Sequence, residues 1–159
     1  MNVVVILSKD IFARGKKASA PSFFERKVKN GSKRHTVRAN FDYWKQKIER
    51  LKEQGGTLSL RQWSGKPYRS SQETILEIPA SMVEVQRLSL VRLQTETKKG
   101  TFYSFLAKID GTRYHLETIA RNDGLTEEEF TEWFNPFFDE VEYATPLAFA
   151  VIHFTTFRY

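Results

Sequence analysis

Within eight residues, Gly31-Ser32-Lys33-Arg34-His35-Thr36-Val37-Arg38 sets a lysine three positions before a threonine and an arginine two positions after it. A threonine hydroxyl is essentially never ionised at neutral pH, so Thr36 would act as a nucleophile only with a base beside it. Lys33 becomes such a base only where burial or other cations depress its pKa, and Arg34, His35 and Arg38 are close enough in sequence to contribute. A carboxylate would complete the set by orienting the lysine or passing on its proton. The plainer alternative is structural: Thr36 satisfies a backbone group and Arg38 pairs with an acid.

The motif needs an element to hold it. Ser22 followed three residues later by Glu25 predicts a capping box, Phe23, Phe24 and Val28 supply an apolar stripe, and Asn30-Gly31 is a natural left-handed helix end. Lys33 and Thr36 are therefore expected just past the end of a helix.

The pattern Gly-x-Lys-x-x-Thr-x-Arg, filled by Gly31, Lys33, Thr36 and Arg38, resembles the hallmark of ASCH domains, small PUA-like barrels linked to RNA. Leu58 to Arg69, Asn122-Asp123-Gly124-Leu125 leading into a helix, and the apolar closing strand ending at Tyr159 extend the likeness over residues 2–159. It implies an α+β fold, a PUA-like mixed β pseudo-barrel flanked by short helices, that binds RNA or a modified nucleoside in a basic cleft where Lys33, Thr36 and Arg38 donate hydrogen bonds. One branch, the N(4)-acetylcytidine amidohydrolases, uses a Lys, a Thr in this spacing and a Glu just before a late helix to cleave an acetyl amide without metal or organic cofactor. Lys33 and Thr36 match those positions, and the late acid falls on Asp123, one methylene shorter than the family's glutamate. In that alternative Thr36 attacks the carbonyl, Lys33 serves as base and then acid, and Asp123 positions Lys33. Arg38 and Arg61 would hold ribose or phosphate while Trp63 or Tyr68 stacks on the base.

The chain has 159 residues, 40% of them apolar and 14% aromatic, the size and composition of one domain spanning residues 1–159. It has no cysteine, which excludes disulfides, thiolate zinc sites and cysteine nucleophiles and fits a reducing compartment. His35, His115 and His153 are too scattered to suggest a metal site. Val3-Val4-Val5-Ile6-Leu7 is short, lacks a preceding basic region and meets charge at Lys9-Asp10, so it reads as a buried strand rather than a signal or membrane span, and the expected location is cytoplasmic. Nothing in the pattern sets an oligomeric state. Charge is lopsided: residues 1–72 hold 17 Lys or Arg against 5 Asp or Glu, residues 73–159 hold 8 against 14. The basic half carries the motif, and such a field favours phosphate-bearing partners.

The remaining elements are read from periodicity. Residues 10–21, with Arg14 to Pro21, lack apolar spacing and predict a mobile loop. Asn40 is expected to cap a helix with Phe41, Trp44, Ile48 and Leu51 on its inner face, ended by Gly55-Gly56. Leu58 and Leu60 face the core in a half-buried strand whose other face is Thr57, Ser59 and Arg61. The Trp63 to Arg69 loop offers Trp63 and Tyr68 for base stacking beside Lys66 and Arg69 for phosphates, or is a turn whose aromatics pack on the core. Strands are expected over Thr74–Ile78, Met82–Gln94 with a bulge between Val85 and Leu88, and Thr101–Ile109, with Asp110-Gly111 as a hairpin turn. A short helix over Leu116–Ala120, a second capping box at Thr126 and Glu129 starting a scaffold helix buried through Phe130, Trp133 and Phe134, and a strand over Ala148–Phe157 complete the chain.

Overall fold

The computed structural model describes residues 1–11 and 20–159. In chain order these form β1 (Asn2–Ile6), β2 (Asp10–Ile11), β3 (Ala20–Pro21), α1 (Phe24–Lys29), β4 (His35–Ala39), α2 (Phe41–Gln54), β5 (Thr57–Trp63) and β6 (Gln72–Pro79). A 3₁₀ turn at Ala80–Met82 leads to β7 (Glu84–Thr97), β8 (Gly100–Ile109), β9 (Thr112–Tyr114), α3 (Leu116–Asn122), α4 (Glu127–Phe134), a 3₁₀ turn at Asn135–Phe138, and β10 (Leu147–His153). The fold is α+β. No described helix is long and apolar enough to cross a membrane.

The strands form two main sheets. One has the order β1-β5-β6, with β1 parallel to β5; the other is antiparallel in the order β4-β10-β7-β8-β9. No ladder joins them among the described residues, so the expected pseudo-barrel is not closed by hydrogen bonds. What joins them is apolar packing: Val3, Val5, Leu58, Leu60, Leu88, Leu90, Phe149 and Val151 belong to one buried cluster. α2 bridges the sheets, touching β1, β7 and β10, and buries Ile48 and Leu51. Its cap is the expected one, with Asn40 accepting from the Tyr43 amide at 3.2 Å, and Gly55 ends it.

Several local expectations differ. The predicted loop over residues 10–21 falls largely outside the described residues, but its ends pair, Asp10 with Pro21 and Ile11 with Ala20. The Ser22–Glu25 capping box does not form. Ser22 is fully buried and its hydroxyl donates to the carbonyls of Ser8 (2.6 Å) and Lys9 (3.0 Å), while Glu25 binds Lys29 and Gln62. Phe23 takes the cap position at φ 56° and is exposed, so only Phe24 and Val28 are buried from the predicted stripe. Ser59 is buried as well as Leu58 and Leu60, on a face otherwise half-buried, and its hydroxyl accepts from Arg61 Nε at 2.9 Å. β7 pairs with β10 and β8 without a register shift, so Val85 and Leu88 simply lie on opposite faces, and the irregularity falls instead between Leu60 and Arg61. The closing strand stops at His153.

Candidate functional site

The turn after α1 and the first residues of β4 are pinned from outside. The Lys33 amide donates to the Lys27 carbonyl at 2.9 Å and the Arg34 amide to the Asn122 carbonyl at 2.7 Å, which lays the motif against the end of α3. β4 is an edge strand paired with β10, so its backbone is fixed through Thr36–Ile152 and Arg38–Ala150. Thr36 and Arg38, two residues apart, line the same cleft as Lys33.

Across the cleft, Asp123 is the C-cap of α3, and Gly124 follows at φ +80°. A side chain at Gly124 would meet Lys33: a Cβ there would lie 3.3 Å from Lys33 Cβ. The glycine thus supplies both the left-handed helix exit and the room for the lysine. Lys33 Nζ donates to the Asp123 carboxylate at 2.9 Å and to the Asp123 carbonyl at 2.6 Å, and sits 4.2 Å from the centroid of Phe24. Only 1% of the lysine is exposed. A cation at the carbonyl end of a helix is electrostatically favoured.

Burial dominates the lysine's titration and pushes it below its ordinary value; Asp123 opposes this, while Arg38 and Lys27 add to it. Burial alone would raise the Asp123 carboxyl, but Lys33 and His35 outweigh it and hold the group below the usual carboxylate range. His35 is fully buried, and desolvation lowers its pKa against the pull of Asp123. Its Nδ1 lies 3.7 Å from the Asp123 carboxylate, inside Coulomb range but beyond hydrogen-bond length. Its Nε2 meets the Tyr159 hydroxyl at 2.6 Å, and that hydroxyl accepts from Asn122 at 3.1 Å. Lys33, Asp123, His35, Tyr159 and Asn122 therefore make one buried polar cluster behind the cleft.

The cleft is narrow, and the space in it amounts to about 330 Å³ only when the open solvent at its mouth is included. Phe24, Trp133 and Phe134 are its aromatic walls, with Leu7 and Ser8 from the segment just after β1. Two polar groups there have unused capacity. Among the described residues the Thr36 hydroxyl makes no side-chain hydrogen bond, and Arg38 donates through Nη2 to the Ile6 carbonyl while its buried Nε has no partner.

The residues expected from sequence thus separate. Lys33, Thr36, Arg38 and Asp123 come together. Arg61, Trp63, Lys66, Tyr68 and Arg69 do not line the cleft. Arg61 binds Ser59 and Gln72, and the loop from Ser64 to Ser71 is tied by its own hydrogen bonds. Tyr68 is 89% exposed, its ring 5.1 Å from that of Trp63, so it does not pack on the core. The aromatics at the cleft are instead Phe24 of α1 and Trp133 and Phe134 of α4, the helix expected to be scaffold. No protein-family model matches the chain, and no curated protein or solved structure is significantly similar to it.

Proposed function

We propose that this chain is an ASCH-type, PUA-like module that binds RNA or a modified nucleoside, with a planar polar group entering the cleft between Trp133 and the Thr36–Arg38 strand. The observation that carries this reading is a Thr36 hydroxyl with no side-chain hydrogen bond among the described residues, set beside Arg38 and an aromatic wall in one cleft. Polar groups in so confined a place are ordinarily satisfied, so a hydroxyl left open in a small aromatic cleft is matched by a ligand rather than by the fold.

A second reading rests on one further observation: Lys33, with a lowered pKa, lines the same cleft as a threonine hydroxyl that makes no side-chain hydrogen bond. A neutral amine that donates twice to Asp123 keeps a lone pair. It would take the Thr36 proton as Oγ1 attacks an acyl carbonyl, then return it to the leaving amine as the C–N bond breaks. Water would hydrolyse the resulting ester on Thr36, releasing the acid.

One experiment addresses both. Calorimetric titration with cytidine, N(4)-acetylcytidine and a short single-stranded RNA is run beside a product assay on the acetylated nucleoside. Arg38→Met is expected to weaken binding about tenfold, the scale of ~1.4 kcal/mol for a lost buried hydrogen bond to a charged group. Product formation abolished by Thr36→Ala, with binding kept, would establish the second reading. Its rate should then rise with pH through the lowered Lys33 pKa, since only the neutral amine is a base. Failure of the folded protein to bind any of the three ligands would overturn the proposal.

A further inference from the structure

The far edge of the second sheet is open. β9 pairs only with Ala107, Lys108 and Ile109 of β8, leaving Gly100 to Leu106 with no partner on that side among the described residues. The direction of the free groups follows from the ladder. Asp110-Gly111 is a two-residue turn with φ 48° and 83°, so Ile109 and Thr112 form a hydrogen-bonded pair, and the Asp110 amide points the other way, to Arg87 of β7. With no register shift along β8, odd residues face outward, and the N–H and C=O groups of Thr101, Tyr103 and Phe105 form an unpaired row.

That edge is neither short nor apolar-free. Phe102 is 54% exposed and Leu106 37%, both on the face that carries Lys108. Where β9 ends, a cleft of about 960 Å³ counting its mouth opens beside the edge, with Phe105, Leu106, Tyr114 and Leu116 in its wall and Arg113, His115 and Glu127 around it. Cations outnumber anions at both ends of the free segment, two against Glu96 at one end and two against Glu127 at the other. Lys98 and Lys99 stand at the β7–β8 turn and Lys108 and Arg113 at the β9 end; all four are exposed, and none is in an ion pair among the described residues.

We infer that β8 is a docking edge for an extended peptide that adds as a further antiparallel or parallel strand, apolar in its middle and acidic at its ends. A row of backbone donors and acceptors at strand spacing is matched by a polypeptide backbone and not by a sugar-phosphate one, which decides the class of partner. Phe102 and Leu106 take alternate apolar side chains, and the cleft past Leu106 takes the last of them. The lysines and Arg113 meet the terminal carboxylates. This site is separate from the Lys33 cleft and does not depend on what that cleft binds.

The probe is a fluorescein-labelled peptide with a Val-Thr-Phe-Thr-Val core and two acidic residues at each end, followed by anisotropy against the full chain. The expected result is saturable binding, absent for the same core with lysines at its ends. Tyr103→Pro removes an outward N–H while leaving the β7 ladder intact, and should weaken binding about tenfold or more; circular dichroism and urea unfolding establish that this variant folds. A charge variant, Lys108→Glu with Arg113→Glu, should lose binding without touching the backbone row. No binding of the acidic peptide, or binding indifferent to both variants, would overturn the inference. So would a dimer by sedimentation that Tyr103→Pro dissolves, which would make the occupant a second copy, or a uridine oligonucleotide that competes at this edge.

Discussion

Lys33 is the side chain whose state decides what the cleft is. An ammonium removed from water loses several kcal/mol of hydration, and here the Asp123 carboxylate, the carbonyl ending α3 and the face of Phe24 oppose that loss. The response to mutation should therefore be asymmetric. Asp123→Ala leaves the buried lysine without a countercharge and is expected to lower unfolding free energy by about 3–5 kcal/mol. Asp123→Leu combined with Lys33→Met removes both charges at similar volume and should cost less than about 1.5 kcal/mol. Urea unfolding of the three proteins measures this, and equal losses in the single and double variants would show that the two groups are not coupled. The pH dependence has a fixed sign. Because the Asp123 carboxyl is held below its ordinary value, its contribution is complete above about pH 4 and is lost as pH falls through the folded value. The double variant should lack that acid limb.

At the level of elements, α4 shows how a scaffold feature becomes part of a site. Thr126 accepts from the Glu129 amide at 3.1 Å and Glu129 accepts from the Thr126 amide at 2.8 Å, closing the capping box that the sequence predicts. That box sets the start of the helix, Phe130 and Phe134 anchor it, and Trp133 is carried to the cleft wall. Thr126→Ala should cost about 1 kcal/mol by urea unfolding and change the fluorescence of Trp133, read in a protein whose Trp44 and Trp63 are replaced by Phe. No fluorescence change would mean that the cap does not position the wall. The same capping pattern at Ser22 and Glu25 predicted a box that is absent, and the difference is tertiary. Thr126 is free to serve its own helix, whereas Ser22 is buried against the carbonyls of Ser8 and Lys9. Local signals were legible wherever nothing distant competed: the Asn40 cap, the Asp110-Gly111 turn, and the helical spacing of Ile48 and Leu51. The spacing of Lys33, Thr36 and Arg38 made them neighbours before any fold was known, and Asp123 was reached only through likeness to a family. Trp133 was not legible, because a tryptophan in an apolar stripe looks the same whether it faces the core or a cleft. The Trp63–Arg69 loop had the opposite fault: its composition suits a nucleic-acid contact, but composition does not say where a loop lies.

Over the whole molecule, the cleft is where the two unlike halves of the chain meet. Lys33, Thr36 and Arg38 come from the half with a balance of +12, from 17 cations and 5 anions, while Asp123 and Trp133 come from the half with −6, from 8 and 14. Asp123 is spent on Lys33 inside, so it does little to the external field. The cations Arg26, Arg34, Lys66 and Arg69 remain exposed on the basic half. These facts separate two ways of holding a nucleotide ligand. Contacts inside the cleft are shielded from ions in solution and act on any nucleoside, whereas the outer cations act only on a ligand that carries phosphates. The proposed binding therefore predicts a split. A free nucleoside should bind with an affinity nearly independent of salt between about 50 and 200 mM, while a single-stranded RNA carrying the same base should bind more tightly at low salt, with log K falling against log salt by about 0.7 per phosphate contacted. Arg34→Gln with Lys66→Gln and Arg69→Gln should flatten the RNA slope and leave the nucleoside affinity unchanged. A slope of zero for RNA in the wild type would confine recognition to the cleft and leave the basic half as solvating charge.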